Sequence, residues 1–330
     1  MINLIAEYND NSINVIIDYL YYLSNGSVSF DRLNSDDTIT DIHIELNSDN
    51  KMVQLCKSEK LFEFSKFNVN FYRRGSINYS NLNALRGSLN PKFYKILHEE
   101  HNQIINYIGY VTKNIGSFNE EYENNKFINL NCASEAGILI PATIITNKKS
   151  ALLDFYNRFQ KIITKPIHHG HIKFSDIESS SRYSSPGTIL LGKDAIDSVD
   201  DYFLPSLFQE YIEKKYEIRI FFFQNEFFPM AIFSQYDEKT KIDFRNYNEL
   251  SPNKNVPFKL PDELQNKLLS FVKKVNLTTG SIDLVCDTNE DFYFLEVNPG
   301  GQFGWVSKNC NYYIEKKIAL TLLNQSYEAK

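Results

Sequence analysis

The stretch GSIDLVCDTNEDFYFLEVNPGG, residues 280–301, reads as two strands folded back on a polar turn. Apolar runs flank DTNED, and Pro299, Gly300 and Gly301 stop the second strand. Strand side chains alternate between faces, so Glu296 and Asn298 share one. If Cys286 pairs with Tyr293 across the turn, Asp283 falls opposite Glu296. Two carboxylates and an amide oxygen then converge. These hard donors suit Mg²⁺ and suit zinc poorly. Three protein ligands also leave positions for water and phosphate oxygens. The alternative is a half-buried hairpin with its polar residues in water, and the spacing alone does not separate the two.

The rest of the chain narrows the choice. Its 330 residues are enough for one large or two to three small domains, and 42% of them are hydrophobic, as in an ordinary globular protein. A formal net charge of −6 excludes a generic electrostatic grip on nucleic acid. Four cysteines, Cys56, Cys132, Cys286 and Cys310, show no CxxC spacing and read as free thiols of a reducing cytoplasm. The N-terminus has no signal-peptide pattern, and no run reaches the ~18 apolar residues that span a bilayer. Neither a membrane nor a nucleic acid is an expected partner.

Periodicity predicts a mixed α/β (α+β) chain. INLIAEY is a strand, followed by a helix over residues 13–23. Strands are expected near residues 27–30, 39–46 and 52–56, and KFNVNFYRRG is another, ending on Arg73 and Arg74. A long helix runs from Pro91 to about Lys113, with Pro91 suited to its first turn. A further helix reaches about Ala136 and is closed by Gly137. ATIITN and KIITKP read as strands on either side of a helix, KKSALLDFYNRF. HHGHIKFSDIESSSRYSSPG reads as a loop or hairpin, and its His168, His169 and His171 as loop residues rather than metal ligands. YEIRIFFFQNEFFPMAIFSQ is two strands turning at Gln224–Asn225. An amphipathic helix follows at PDELQNKLLSFVKKVN, acidic early and basic late as the helix dipole favours. A last helix is expected over residues 313–323.

Several residues along this path have the chemistry of a nucleotide site. Lys126 and Lys165 are candidate phosphate cations, and Lys165 leaves the end of an apolar strand beside Pro166. Gln209, Glu210, Tyr211 and Ile212 offer a strand edge to an adenine. Glu217 and Arg219 alternate within a strongly apolar strand, where an unpaired ion is very costly. Their face is therefore either a salt-bridged surface or a site. Asp243 and Arg245 repeat the pattern, and arginine suits bidentate contact with phosphate or carboxylate.

Taken in order, Lys126, Lys165, Gln209–Ile212, Glu217-x-Arg219, Arg245, Asp283 and Glu296-x-Asn298 resemble the ATP-grasp superfamily of carboxylate ligases. The match runs from about Lys126 to the C-terminus, and no Walker A or GxGxxG motif competes. LIAEYNDNSINVIIDYL, FYRRG, DFRNYN and FLEVNPGGQFGWV further resemble the ATP-grasp maturases of graspetides, the microviridin-type, grasp-with-spasm ligases. RimK-type ligases share the E-x-N ending.

The resemblance implies an ATP-grasp fold with an N-terminal pre-ATP-grasp α/β domain over residues 1–120. A central subdomain would cover 121–205 and dock a leader peptide, with the region from about His168 to Asp243 expected to form the dock. A C-terminal subdomain, 206–330, would carry the Mg-ATP site. The implied reaction is phosphorylation of an Asp or Glu side chain of a ribosomal precursor peptide. A Ser or Thr hydroxyl or a Lys amine of the same peptide would then close a ring. Asp283, Glu296 and Asn298 would hold Mg²⁺, and Lys126 and Lys165 would contact the ATP phosphates. Gln209, Glu210, Tyr211 and Ile212 would line the adenine pocket, with Glu217 at the ribose. Arg219 and Arg245 would stabilise the transferring phosphoryl, and Arg73 and Arg74 would hold substrate carboxylates. A cytoplasmic homodimer is expected. The alternatives are a RimK-like ligase adding an amino acid to a small molecule or protein tail, and a non-catalytic peptide- or nucleotide-binding module.

Overall fold

Residues Ile2–Ala6 form β1, buried along its whole length because it is the middle strand of a parallel sheet. The structure, a computed structural model, describes residues 1–48, 51–57, 60–64, 68–79, 85, 87–111, 114–168, 173–175, 182–184, 187–237, 240–242 and 252–328. After β1 come α1 (Asn11–Leu23), β2 (Phe30–Asn34), β3 (Thr38–Ile39), β4 (Asp41–Leu46), β5 (Lys51–Lys57), β6 (Lys60–Phe64), β7 (Val69–Tyr72) and β8 (Asn78–Tyr79). Then follow α2 (Pro91–Val111) and α3 (Phe118–Tyr122). β2 and β7 flank β1 in parallel, and β4, β5 and β6 make an antiparallel meander. The strand expected at 27–30 begins only at Phe30, because Gly26, at φ +74°, still belongs to the turn after α1. The strand expected at 39–46 breaks at Thr40, and β6 was not read at all.

The middle of the chain gives α4 (Lys126–Glu135), β9 (Thr143–Lys148), α5 (Lys149–Phe159), β10 (Ile162–Thr164), β11 (Lys173–Ser175), β12 (Arg182–Ser184), β13 (Ile189–Leu191), α6 (Lys193–Asp197) and β14 (Tyr202–Glu210). Four of these strands form an antiparallel sheet in the order β13-β10-β14-β9. β14 is an inner strand there, so it runs on through the expected 205/206 boundary. Gly137 closes α4 at φ +78°, its N–H donating to the Ser134 carbonyl at 2.9 Å.

The last third supplies β15 (Lys214–Phe223), β16 (Glu226–Phe233), β17 (Lys254–Pro257), α7 (Asp262–Lys274), β18 (Thr279–Asp287), β19 (Phe292–Asn298), α8 (Gly304–Cys310) and α9 (Ile314–Glu328). The five strands form an antiparallel sheet ordered β17-β16-β15-β18-β19. α8 was not anticipated, and α9 extends past the expected end at residue 323.

The two faces of this sheet explain where a site can exist. Ile218, Ile220, Phe222, Ile282, Leu284, Phe294 and Val297 point to one face and pack under α7 and α4. On the other face Phe221, Phe223, Met230 and Ile232 join β1, α1, α8 and α9 in a second core. That core covers only part of the face. Glu217, Arg219, Ser281 and Asp283 share the face by alternation but lie outside both cores.

Among the described residues no helix is long and apolar enough to cross a membrane, and the four cysteines are free.

Candidate active site

The hairpin of β18 and β19 does not keep one register. Cys286 faces Phe292, not Tyr293, yet Asp283 still faces Glu296. The register shifts between Asp283 and Leu284, so Leu295 is the extra residue of a β-bulge. The bulge resolves a conflict in the sequence. In a regular strand Phe294 and Glu296 would share a face. With Leu295 inserted, Phe294 and Val297 both enter the core under α7, while Glu296 turns to the opposite face.

Across the sheet, Arg219 on β15 pairs in register with Asp283 on β18, which pairs with Glu296 on β19. The three form a row on neighbouring strands. Arg219 Nη1 donates to both Asp283 oxygens, at 2.9 and 2.7 Å. Its Nε is buried with no hydrogen-bond partner among the described residues. Such a donor is costly unless a ligand satisfies it. Glu296 is held by Lys126, whose ammonium lies 3.3 Å from Oε2 and 3.3 Å from the Pro166 carbonyl.

Lys126 gets there because α4 is anchored at its start. Asn125 caps the helix through the N–H groups of Phe127 and Ile128. Asn124 Nδ2 donates to the Val297 carbonyl at 3.0 Å and is itself held by Asn129. These three asparagines attach the helix end to β19, and none was singled out from the sequence.

Two adjoining cavities meet at this row. The larger, about 510 Å³, is lined by Arg74, Lys126, His168, Arg219, Asn298 and Gln302, among others. The smaller, about 80 Å³, is a slot walled by Ile163, Gln209, Tyr211, Ile212, Val285 and Leu295. Lys165, Thr188, Asp283 and Glu296 line both. The cavities therefore form one cleft between the central sheet and the C-terminal sheet, apolar at one end and charged at the other.

Of the residues expected in a nucleotide site, Lys126, Lys165, Gln209, Glu210, Tyr211, Ile212, Glu217, Arg219, Asp283, Glu296 and Asn298 all line this cleft. Two details modify their roles. Glu210 Oε1 accepts from the Ala142 N–H at 2.8 Å, which ties β14 to the start of β9. Glu217 forms a buried ion pair with Lys214 and accepts from Ser234 at 3.0 Å. Lys214, which also donates to the Ile242 carbonyl at 3.0 Å, was overlooked because it reads as a surface lysine in IEKKYE. Arg245, Asp243, His169 and His171 lie outside the described residues.

Arg73 and Arg74 part company. Arg74 lines the charged cavity, with its side chain 24% exposed and its Nη1 3.1 Å from Glu7. Arg73 is only 5% exposed, and its contacts are with protein groups. It donates to the Gly300 carbonyl at 2.8 Å, pairs with Asp10 at 3.3 Å and stacks over the Phe303 ring. Burial pushes its guanidinium down to about 10, opposed by Asp10, so it stays charged at neutral pH. It fixes the turn after β19. That turn is tight: a Cβ on Gly300 would come within 2.7 Å of the Glu121 carboxylate, and one on Gly301 within 2.7 Å of the Ser281 nitrogen. The glycines thus make room for protein neighbours.

No protein-family model matches the chain. No curated protein matches it either. Solved structures do, over nearly their full lengths. One is a RiPP-associated ATP-grasp ligase of Chryseobacterium gregarium, solved with ADP and a leader and core peptide: 23% identity, TM-score 0.81, covering 98% of this chain and 96% of that one. A second is the macrocyclase MdnC of Microcystis aeruginosa MRC bound to the precursor peptide MdnA: 23% identity, TM-score 0.77, covering 98% and 100%. A third is the ATP-grasp ligase PsnB with a minimal precursor, Mg and ADP: 14% identity, TM-score 0.72, covering 98% and 97%. The chain therefore has the ATP-grasp fold that its ordered motifs led one to expect, N-terminal α/β portion included.

Proposed function

We propose that this protein is an ATP-dependent peptide macrocyclase, joining Asp or Glu side chains of a precursor peptide to its Ser or Thr hydroxyls or Lys amines. The observation that carries the reading is the row Arg219, Asp283, Glu296, flanked by Lys126 and Lys165 where an apolar slot opens into a charged cavity. The slot has the lining of an adenine site, and the cavity has cations for a triphosphate. The neighbours of like fold were solved with nucleotide and precursor peptide, and the same partners are proposed here.

Mg²⁺ fits the residues present. Asp283 and Glu296 face each other and Asn298 shares their side of β19, giving two carboxylates and an amide. Each carboxylate is held by a cation, and Arg219 carries a buried donor unsatisfied among the described residues. Mg-ATP would satisfy all of them, with the carboxylates taking the ion and Arg219 and Lys126 taking phosphate oxygens. The ion, when bound, neutralises charge on the phosphates. The chain itself orients ATP through the slot and holds the substrate carboxylate beside Arg74. Such catalysis rests on positioning and electrostatics and needs no protein nucleophile. A peptide partner and a cytoplasmic homodimer belong to the same proposal, and the four free thiols accord with a reducing compartment.

The test uses ATP, Mg²⁺ and each peptide encoded by a short reading frame beside the gene that carries Ser/Thr and Asp/Glu clusters. The expected product has lost one water per ring, with one ADP formed for each. A peptide that gains the mass of an amino acid would assign a RimK-like ligase instead. Unchanged masses and no peptide-dependent ADP would refute both.

A further inference from the structure

The charged cavity has a third carboxylate that the nucleotide reading does not use. Glu121 sits in α3, in the acidic run NEEYENN, and lines the charged cavity. It also lines a second large cavity, about 730 Å³, between α2, α3 and the segment after β7. Among the described residues it is the one side chain common to both. The large cavity is walled by hydrogen-bonding groups such as Tyr94, His98, Asn102 and Asn106, with Glu99 among them. Groups of this kind can donate to and accept from the hydroxyls and backbone of a peptide.

The environment of Glu121 differs from that of the charged cavity's other two acids. Asp283 is held by Arg219 and Glu296 by Lys126, whereas Glu121 Oε2 accepts from the neutral Tyr72 hydroxyl at 2.6 Å and meets the charge of Arg73 only through space. Burial, and then the charge and hydrogen bond of Glu121, raise the Tyr72 phenol, so it stays protonated as the donor. The other oxygen, Oε1, lies over Gly300, where any side chain would displace it. Gly300 continues the turn from Asn298, so Glu121 stands beside the end of the strand that carries the expected metal ligands. Ser117 caps α3 through the Asn119 N–H, and Ser117 Oγ donates to the Gly109 carbonyl of α2, which fixes the short helix.

We propose that Glu121 is the general base of ring closure, and that the attacking group of the peptide reaches it from the large cavity. This rests on the peptide-ligase reading above. In the step, the substrate hydroxyl oxygen attacks the acyl-phosphate carbon as its proton passes to a Glu121 oxygen. The new C–O bond forms, the bond from carbon to the phosphate oxygen breaks, and the electron pair leaves with phosphate. For a lysine nucleophile the same carboxylate takes the ammonium proton.

The test separates acyl-phosphate formation from ring closure in the full-length protein. The probe is whichever neighbouring peptide loses water with the wild type, with ATP and Mg²⁺, in the presence or absence of hydroxylamine. Hydroxylamine captures an acyl phosphate as a hydroxamate without a protein base. Glu121→Gln keeps the size of the side chain and its acceptor for Tyr72. It is expected to form peptide hydroxamate within about threefold of wild type while closing rings at least ~100-fold more slowly, the lower end of the usual general-base effect. Glu121→Asp should recover part of the closure rate. Rings formed by Glu121→Gln within about fivefold of wild type would overturn the base while leaving the ligase reading intact. Loss of hydroxamate and rings together would also overturn it, by placing Glu121 before the acyl phosphate. A wild type that gives neither product with any peptide removes the ligase reading, and the base with it.

Discussion

Arg73 and Arg74 are neighbours in sequence with opposite fates, and energy separates them. A guanidinium sealed among Asp10, Ser12, Gly300 and Phe303 is held by an ion pair, two hydrogen bonds and a ring face. Removing it takes the nearer cation from the Asp10 carboxylate, whose side chain is 9% exposed, leaving it Ser12 and Arg74 at 3.9 Å, and leaves the Gly300 carbonyl with Arg74 alone at 3.4 Å. Arg73→Ala should therefore lose about 3–5 kcal/mol of stability, the usual cost of breaking a buried pair from one side. Arg74→Ala should unfold within about 0.5 kcal/mol of wild type, as partly exposed substitutions do. It should still slow peptide processing at least tenfold. Denaturant melts and peptide kinetics on both variants decide the matter; equal midpoints would show that burial does not distinguish them. FYRRG marked the place but not the division, because alternation along a strand stops being a guide once β7 ends at Tyr72. Lys214 and Glu121 were illegible for a related reason. Each sits among like charges, in IEKKYE and NEEYENN, and only the fold shows which member reaches the cleft.

At the scale of elements, the bulge in β19 determines the shape of the slot. Leu295 adds apolar wall beside Glu296 without moving Glu296 from its place opposite Asp283. Deleting Leu295 leaves Phe294, Glu296, Val297 and Asn298 in regular alternation, with the same residues facing core and site. The deletion should fold with a melting temperature near that of the wild type and keep its Mg²⁺ dependence. It should also weaken ATP binding about tenfold, since the base loses roughly half the burial value of a leucine. A large fall in melting temperature with unchanged KM for ATP would mean that the bulge serves the sheet and not the nucleotide. That Glu296 and Asn298 share a face was legible from alternation, whereas Asp283 was set opposite Glu296 through a Cys286–Tyr293 pairing that the strands do not make. The bulge was not, because an extra residue in a strand has no composition of its own. α8 escaped for the same lack of a marker: it starts at Gly304, with no capping side chain, and the sequence there reads as a turn.

At the scale of the molecule, the chain's two ends share a core. β1 and α1 pack with α8 and α9, and the same cluster takes in β15 and β16. The central sheet has its own smaller core, built on Leu152, Phe155, Ile162, Ile196 and Phe208. Few apolar contacts and a small core make such a unit the first to open. The candidate site spans the seam, with Lys165, Thr188 and Gln209 on the central side and Arg219, Asp283 and Glu296 on the other. A ligand filling it must hold the two together, stabilising the closed arrangement by about 2.7 kcal/mol at a hundredfold excess over Kd. Hydrogen exchange with Mg²⁺ and a non-hydrolysable ATP analogue should therefore slow the amides of β10 and β14 by roughly tenfold or more, since each tenfold needs only about 1.4 kcal/mol. The amides of α1 and α9, in the shared core, should change little. Lysine at 165 ties the effect to the seam: Lys165→Ala should lose much of the added protection at β10 while leaving exchange without nucleotide unaltered. Equal slowing in α1 and β10 would mean that the nucleotide stabilises the chain as one cooperative unit, and no change at β10 would move the nucleotide out of this cleft.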